Sequence, residues 1–420
     1  MGLNVIDYFF LYSLISTWVL LLLNIFLTFS GYRFYTTSMG KKINILKELK
    51  EFPSVSILIP AHNEEKVIGK TVMSMLSLNY PEDKLEVIVI NDNSSDNTGK
   101  ILEEIKKTYG KGRLKVITTD KITGGKGKSN ALNIGYKNSR GEFIAVYDAD
   151  NTPEKLALRY LVYAITNSRE LGAVIGKFRT RNKSKNLLTR FINIETLSFQ
   201  WMAQAGRWQL FRLCTIPGTN FIIRKSIVEA LGGWDIHAIA EDTEISFRIY
   251  KMGYRIGFMP LAVTWEQEPE KLRVWFKQRT RWAKGNVYVL VKYIRNIFRE
   301  KTKSVLFDLY YFFSVYFFFL SSVIISDIIF ILGLFTNIKI GLSSNYLLLW
   351  ILAYILFILE VSITLTMEKG ESNYKNILIV ALMYFTYCQL WMVVAIKGII
   401  LYFKDVLLKK ETKWYKTERF

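Results

Sequence analysis

The residues best suited to do chemistry are acidic, and they recur through the middle of the chain. Asp148 and Asp150 stand i, i+2 at the end of the apolar run EFIAVYDAD. On an extended segment, side chains two apart point the same way, so both carboxylates can reach one hard cation. Such a cation takes oxygen ligands from carboxylates and from phosphates. Standing alone, this short pattern fits a solvated turn equally well, but here it has company. Asp92 closes LEVIVIND, Pro60-Ala61-His62-Asn63-Glu64 closes a first apolar run, and GKGKSNALN carries Lys126 and Lys128, which suit a diphosphate. Glu241-Asp242 heads an amphipathic pattern, and Gln278-Arg279-Thr280-Arg281-Trp282 follows it. Carboxylates are also favoured at helix starts for the dipole alone. On a helix Gln278 and Arg281 share a face with Trp282 alongside, so that Arg281 could grip a diphosphate bidentately and Trp282 could stack on a sugar ring. A basic surface helix with a buried Trp would show the same residues.

These groups need elements to hold them. VSILIPA (55–61), LEVIVIND (85–92), 114–118 and EFIAVYDAD (142–150) read as buried strands. Helices are expected at 64–78 and after the SSDNTG cap cluster. Strands alternating with helices predict an α/β fold with a mainly parallel sheet, and such sheets bind ligands at the carboxyl ends of their strands. The acidic and polar clusters at 61–64, 91–93 and 148–150 all fall at that edge.

Several chemistries are excluded. Gly127-Lys128-Ser129 imitates the end of a phosphate-binding P-loop, but the glycine required five residues earlier is Ile122. Two cysteines and two histidines leave no disulfide framework, no zinc site and no His-centred triad. The net charge of +20 arises largely beside apolar segments, at Arg33, Lys41, Lys42, Lys292, Arg295, Arg299, Lys301 and Lys303. That pattern suits anionic lipid headgroups and not nucleic acid.

Hydrophobic residues make up 50% of the chain, concentrated before residue 31 and after residue 304. Residues 8–30 carry no charge and are long enough to span a bilayer; they read as a retained anchor with the amino terminus outside. KYIRNIFREKTKS suits a helix on the membrane surface. Apolar segments follow at 309–335, 346–366 and 376–402. Three crossings would leave the basic tail outside, against the positive-inside rule, so one segment is expected to lie in the interface or re-enter, and the tail to stay in the cytoplasm. The expected domains are an anchor at 1–45, a catalytic unit at 46–290, an interface helix at 291–304, a membrane region at 305–403 and a basic tail at 404–420.

In order and spacing, Asp92, Asp148-x-Asp150, Glu241-Asp242 and Gln278-x-x-Arg281-Trp282 resemble glycosyltransferase family 2, in its processive membrane branch of cellulose, hyaluronan and poly-N-acetylglucosamine synthases. The likeness runs from about Val55 to Gly285, and the tail KWYKTER resembles the end of the poly-N-acetylglucosamine synthases. It implies a GT-A-type nucleotide-sugar-binding domain. Asp92 would contact the uracil or ribose, and Pro60, Ala61, Glu64 and Lys128 would line the same pocket. Asp148 and Asp150 would hold the UDP-sugar through Mg²⁺ or Mn²⁺. Asp242, beside Glu241, would be the general base. Gly218 and Thr219 would belong to the acceptor segment, and Gln278, Arg281 and Trp282 would bind diphosphate and acceptor sugar. Asn91-Asp92-Asn93 stands where the family often has Asp-Asp-Gly, and Ala240 where it often has Thr; both departures leave the proposed ligand and base in place.

One base and one cation suffice for direct displacement, so inversion is expected; hydrolysis or retention would need a further carboxylate across the sugar. The leading expectation is a membrane enzyme that extends a β-linked exopolysaccharide from UDP-N-acetylglucosamine and passes it through its own spans. Phe312, Tyr316, Trp350, Tyr384 and Trp391 are candidate channel aromatics, though lipid-facing positions account for such residues as well. The alternatives are transfer of a single sugar to a lipid carrier and a non-enzymatic transporter or scaffold. For the transporter, Asp308, Asp327 and Glu360 would be the intramembrane charges. About 18 residues follow the last segment, so any regulatory or export function is expected from separate subunits.

Overall fold

A computed structural model of the chain describes residues 4–40, 45, 48–110, 112–294, 302–336 and 346–408. Lys41, Lys42, the surface stretch at 295–301 and the basic tail from 409 lie outside the described residues, as does the side chain of Tyr316.

The strands are β1 (Val55–Ala61), β2 (Leu85–Asp92), β3 (Leu114–Thr119), β4 (Phe143–Val146), β5 (Thr152–Pro153), β6 (Leu171–Thr180), β7 (Phe221–Arg224) and β8 (Arg255–Glu266). The helices up to residue 294 are α1 (Val5–Met39), α2 (Ile68–Leu76), α3 (Thr98–Tyr109), α4 (Lys128–Lys137), α5 (Ala157–Thr166), α6 (Leu187–Ser198), α7 (Arg207–Phe211), α8 (Lys225–Ala230), α9 (Glu241–Lys251) and α10 (Leu272–Ile294). The carboxyl-terminal helices are α11 (Lys303–Phe313), α12 (Leu320–Phe335), α13 (Tyr346–Thr366), α14 (Tyr374–Phe385) and α15 (Tyr387–Leu407).

One sheet runs in the order β3-β2-β1-β4-β7-β6-β8-β5. The first four strands are parallel, as is the pair β6–β8, while β7 and β5 run antiparallel to their neighbours. The apolar runs follow from burial on both faces. Alternate residues fill different layers: Leu58, Ile88, Ile90 and Val146 pack on one face, and Ile57, Ile59, Val87 and Ala145 on the other.

Two expected boundaries move. The fourth strand ends at Val146, so Asp148 and Asp150 sit in the turn beyond it and do not project from an extended segment. Asn151 N–H returns to the Asp148 carbonyl, closing a turn that the distant Thr219 hydroxyl also holds. Helix α2 begins at Ile68 and not at Glu64, because residues 62–67 form turns anchored by side chains. Asn63, with φ +56°, accepts from Ser95 and Asp96 N–H, and Glu64 N–H donates to Thr98.

Among the described residues, three helices are long and apolar enough to cross a membrane: Val5–Met39, Lys303–Gly333 and Leu348–Thr366. A fourth candidate, α14 with α15, is bent by 42°. The anchor α1 lies against the π-helical stretch Phe199–Gly206. A Cβ on Gly31 would stand 1.9 Å from the Trp201 carbonyl oxygen, and one on Gly206 2.3 Å from that of Leu27. Glycine at both positions permits this contact, as in closely packed membrane helices. Asp308 pairs with Arg207, and both are buried, so this carboxylate fastens α11 to α7. Between α13 and α14, Glu368 reaches Lys177, Arg179 and the Trp201 indole. Glu371 reaches Lys183, Arg179 and Asn193. Helix α15 touches the catalytic region along its length. Tyr387 meets Trp275 and Glu195, a Cβ on Gly398 would lie 2.7 Å from that of Ala283, and Asp405 pairs with Lys284.

Candidate active site

Lys128 organises the centre of the site. It is the first residue of α4 and follows Gly127, whose φ of +102° is a conformation glycine adopts without a Cβ clash. Its ammonium lies 2.7 Å from Asp148 Oδ1 and 3.4 Å from Glu241 Oε1, and it donates to the Gly218 carbonyl at 2.8 Å. Burial alone would push this ammonium toward the neutral form, but Asp148 and Glu241 outweigh it and hold the pKa above the ordinary lysine value. Lys126 is exposed and joins none of these groups.

Asp242 belongs to the same cluster. It sits in the first turn of α9, accepts Thr243 N–H at 2.7 Å, and approaches Gly218 so closely that a Cβ there would stand 2.9 Å from its Oδ2. Burial, and then the charge of Glu241, push its pKa from 3.8 up to about 7, against the opposing pull of Lys128. A carboxylate poised there can accept a proton near neutrality. Thr219, expected in the acceptor segment, braces the acidic turn: its hydroxyl accepts Asp148 N–H at 3.0 Å and donates to Asn151.

The loop before α4 ties this centre to Asp92. Oδ1 of Asp92 accepts Gly125 N–H and the Thr119 hydroxyl, both at 2.9 Å. A Cβ on Gly124 would stand 2.4 Å from the same oxygen. The residue is fully buried, yet Oδ2 has no hydrogen-bond partner among the described residues. Such an atom is costly unless a ligand completes it. His62 meets the Asp92 carbonyl at 2.6 Å. Pro60 and Ala61 lie in β1, where Ala61 is core, and Glu64 is buried beside the β1 turn.

Asp150 is buried, and its Oδ2 accepts Gln267 N–H at 3.4 Å. At the end of β8, Glu266 and Glu268 stand near it. Burial first, and then the neighbouring carboxylates, push the Glu266 pKa well above normal; burial likewise raises that of Glu268. No preformed group of three metal-ligating side chains exists among the described residues. The donor set is nonetheless oxygen-only, and Asp148 keeps 33% of its side chain exposed. Two carboxylates completed by a substrate diphosphate fit Mg²⁺ or Mn²⁺, which hold few protein ligands in such sites.

Gln278, Arg281 and Trp282 all lie on α10. Arg281 Nε is buried without a hydrogen-bond partner among the described residues, and Trp282 is 40% exposed. Gln278 is buried and bonds Arg279, whose guanidinium lies 3.9 Å from the Trp282 ring centre. Three of the candidate channel aromatics pack against other rings. Phe312 packs on Phe247, Tyr384 on Tyr354 and Phe357, and Trp391 on Trp275. Sequence pattern assigns no role to Glu195, Glu266 or Glu268, nor to Arg279 within the Gln278–Trp282 segment. Asn63 and Asn93, each just past a strand, take the left-handed backbone that asparagine tolerates.

A mostly parallel sheet with acidic turns at its carboxyl edge, closed by the Lys128 centre, defines a GT-A glycosyltransferase. A match to Glycosyltransferase like family 2 spans residues 53–285, and the chain belongs to that family. It is 53% identical to the probable glycosyltransferase YdaM of Bacillus subtilis over 411 residues, covering 98% of this chain and 97% of that one. It is 34% identical to the poly-β-1,6-N-acetyl-D-glucosamine synthase of Staphylococcus aureus over 255 residues, which is 61% of this chain and 59% of the synthase. Among solved structures, the mannosyltransferase PcManGT of Pyrobaculum calidifontis, in complex with GDP-Man and Mn²⁺, superposes with a TM-score of 0.58. Its identity is 19%, and the match covers 93% of this chain and all of that one. This likeness bears on the fold.

Proposed function

We propose that the protein is an inverting polysaccharide synthase that transfers N-acetylglucosamine from its UDP-sugar to the end of a growing β-linked glycan at the cytoplasmic membrane surface. The observation that carries this reading is the convergence on Lys128 of the acidic turn, through Asp148, and of the Glu241-Asp242 pair. The donor is favoured by the similarity to the staphylococcal synthase over the catalytic segment. Divalent cation is expected with it, since a family-fold neighbour was solved with GDP-Man and Mn²⁺.

In this reading Asp242 takes the proton from the acceptor hydroxyl as its oxygen bonds the anomeric carbon. The bond from that carbon to the diphosphate oxygen breaks on the opposite face, and UDP departs with the electron pair. Lys128 and Arg281 meet the charge that develops on the diphosphate. Asp148 and Asp150 would hold the cation, which supplies further neutralisation of the leaving group. Asp92 completes its unpaired Oδ2 with a donor group of the nucleoside. The glycan leaves through a passage among the protein's own membrane helices, which lipid surrounds.

The contacts of α15 at Tyr387, Gly398 and Asp405 favour a helix that returns along α10 over one that crosses the bilayer, which keeps the basic tail cytoplasmic. A protease-cleavable tag after Phe420 should be protected in intact protoplasts and cut in inverted vesicles; the reverse pattern refutes this topology.

The deciding experiment uses the full chain in lipid nanodiscs with Mn²⁺ and a panel of labelled UDP- and GDP-sugars. UDP release with N-acetylglucosamine incorporation into a ladder of products supports the proposal. A single-sugar lipid product overturns the polymerase reading, and turnover of a different donor overturns the sugar assignment.

A further inference from the structure

The Lys128 centre leaves one built cluster unexplained. Arg279, which is 1% exposed, lies behind the exposed Trp282 on α10. Its Nη1 donates to Gln278 Oε1 at 3.0 Å, and its Nη2 to Glu195 Oε2 on α6 at 3.0 Å. Glu268 Oε2 is 3.9 Å away. The same Glu195 oxygen accepts the Tyr387 hydroxyl of α15 at 2.6 Å, and Tyr387 accepts from the Trp275 indole at 2.9 Å. Trp391 of α15 closes the far side, 5.9 Å from the guanidinium. One buried cation thus joins Gln278 and Trp282 to a helix of the membrane region.

We infer that Arg279, Glu195 and Tyr387 are positioning residues that fix the Trp282 ring as the surface on which the acceptor sugar rests. The inference depends on the proposed acceptor role of Trp282. A half-exposed indole on a helix has more than one rotamer open to it. The guanidinium stacked on its inner face selects one, because a planar cation over an indole is held by the ring quadrupole and by its own fixed hydrogen bonds. Glu195 holds that cation, and Tyr387 holds Glu195, so α15 sets where Trp282 faces. A glycan that passes from the site to the membrane helices would then meet its resting surface already aligned with them.

Two readouts on the full chain in lipid nanodiscs separate this inference from the reading it rests on. In protein labelled with 5-fluorotryptophan, the Trp282 resonance is assigned by its loss in Trp282→Phe. Tyr387→Phe and Glu195→Gln should each shift or broaden that line and leave the line of Trp234, buried against Tyr136, in place. With UDP-N-acetylglucosamine and a β-1,6-linked N-acetylglucosamine oligomer, the same two variants should raise the oligomer KM about tenfold while UDP binding stays within about twofold. An unmoved Trp282 line overturns the inference whatever the kinetics. If Trp282→Ala raises the oligomer KM but Tyr387→Phe and Glu195→Gln do not, the positioning role alone falls. If Trp282→Ala leaves that KM unchanged, the acceptor reading falls and the inference with it.

Discussion

Two cations, the partly buried Lys128 and the fully buried Arg279, each collect carboxylates from distant parts of the chain, and they do so in different ways. Lys128 is reached through a glycine loop, and its partners are a turn carboxylate, a first-turn carboxylate and the carbonyl of Gly218. Arg279 stands in the middle of a 23-residue helix, with an aromatic ring on one face and helix-borne partners around it. A point charge on a flexible stem can exchange a carboxylate for a phosphate with little rearrangement, whereas a planar fork stacked on an indole cannot. The first cation is therefore built to trade partners with a ligand and the second to hold its partners still. Substitutions at the two sites should fail in different ways.

The largest effect is expected at the base beside Lys128. Asp242→Asn removes the proton acceptor while keeping the shape, and should lower kcat by about 10²–10⁴-fold. UDP affinity, measured by calorimetry, should stay within about twofold. Retained turnover would remove Asp242 from the chemistry. Next comes Lys128→Met, which keeps the stem and leaves Asp148, Glu241 and Asp242 without their shared counter-charge. The loss in kcat/KM should be roughly 30-fold or more, by analogy with truncating one partner of a buried ion pair. It should fall on donor affinity as well as on turnover, since the ammonium would no longer meet the diphosphate. A variant with full donor affinity would make Lys128 a structural cation like Arg279 and dissolve the contrast.

The Lys128 side of this contrast was legible in the sequence, and the Arg279 side was not. Parallel strands buried on both faces appear as unbroken apolar runs, so β1, β2 and β3 could be read almost to the residue, and the carboxylates at their ends followed. Asp148, Glu241 and Asp242 announced themselves because carboxylates are conspicuous at strand and helix termini. The position of the fourth strand's end was missed because the turn at Asn151 is set by a single backbone hydrogen bond and by Thr219, which is 68 residues away. Arg279 meets Glu195 across 84 residues and Lys177 meets Glu368 across 191. Neither pair has a periodicity to betray it, because each is specified by tertiary packing, of two helices for Arg279 and Glu195 and of strand β6 against the turn after α13 for Lys177 and Glu368. The same holds for α15, whose apolar composition reads as a span while its contacts with Trp275, Ala283 and Lys284 place it along α10.

The finest discrimination comes from pH. Asp242 has a pKa near 7, raised by burial and by Glu241 and opposed by Lys128. It works as a base only when ionised, so activity should rise with pH through that value. Below it, kcat/KM should fall about tenfold per pH unit, and above it the profile should level, since kcat/KM reports the free enzyme. The sign of the Lys128 contribution can be read from the same profile. Removing a positive neighbour disfavours the carboxylate form, so Lys128→Met should move the midpoint to higher pH. Tyr387→Phe acts on a cluster that Asp242 does not touch, and should leave the midpoint where it is while still changing the oligomer KM. A midpoint that moves in Tyr387→Phe would mean that the two cations form one electrostatic unit. A midpoint near 4 in the unsubstituted protein would mean that Asp242 is ionised throughout the working range, and that its burial sets geometry and not proton affinity.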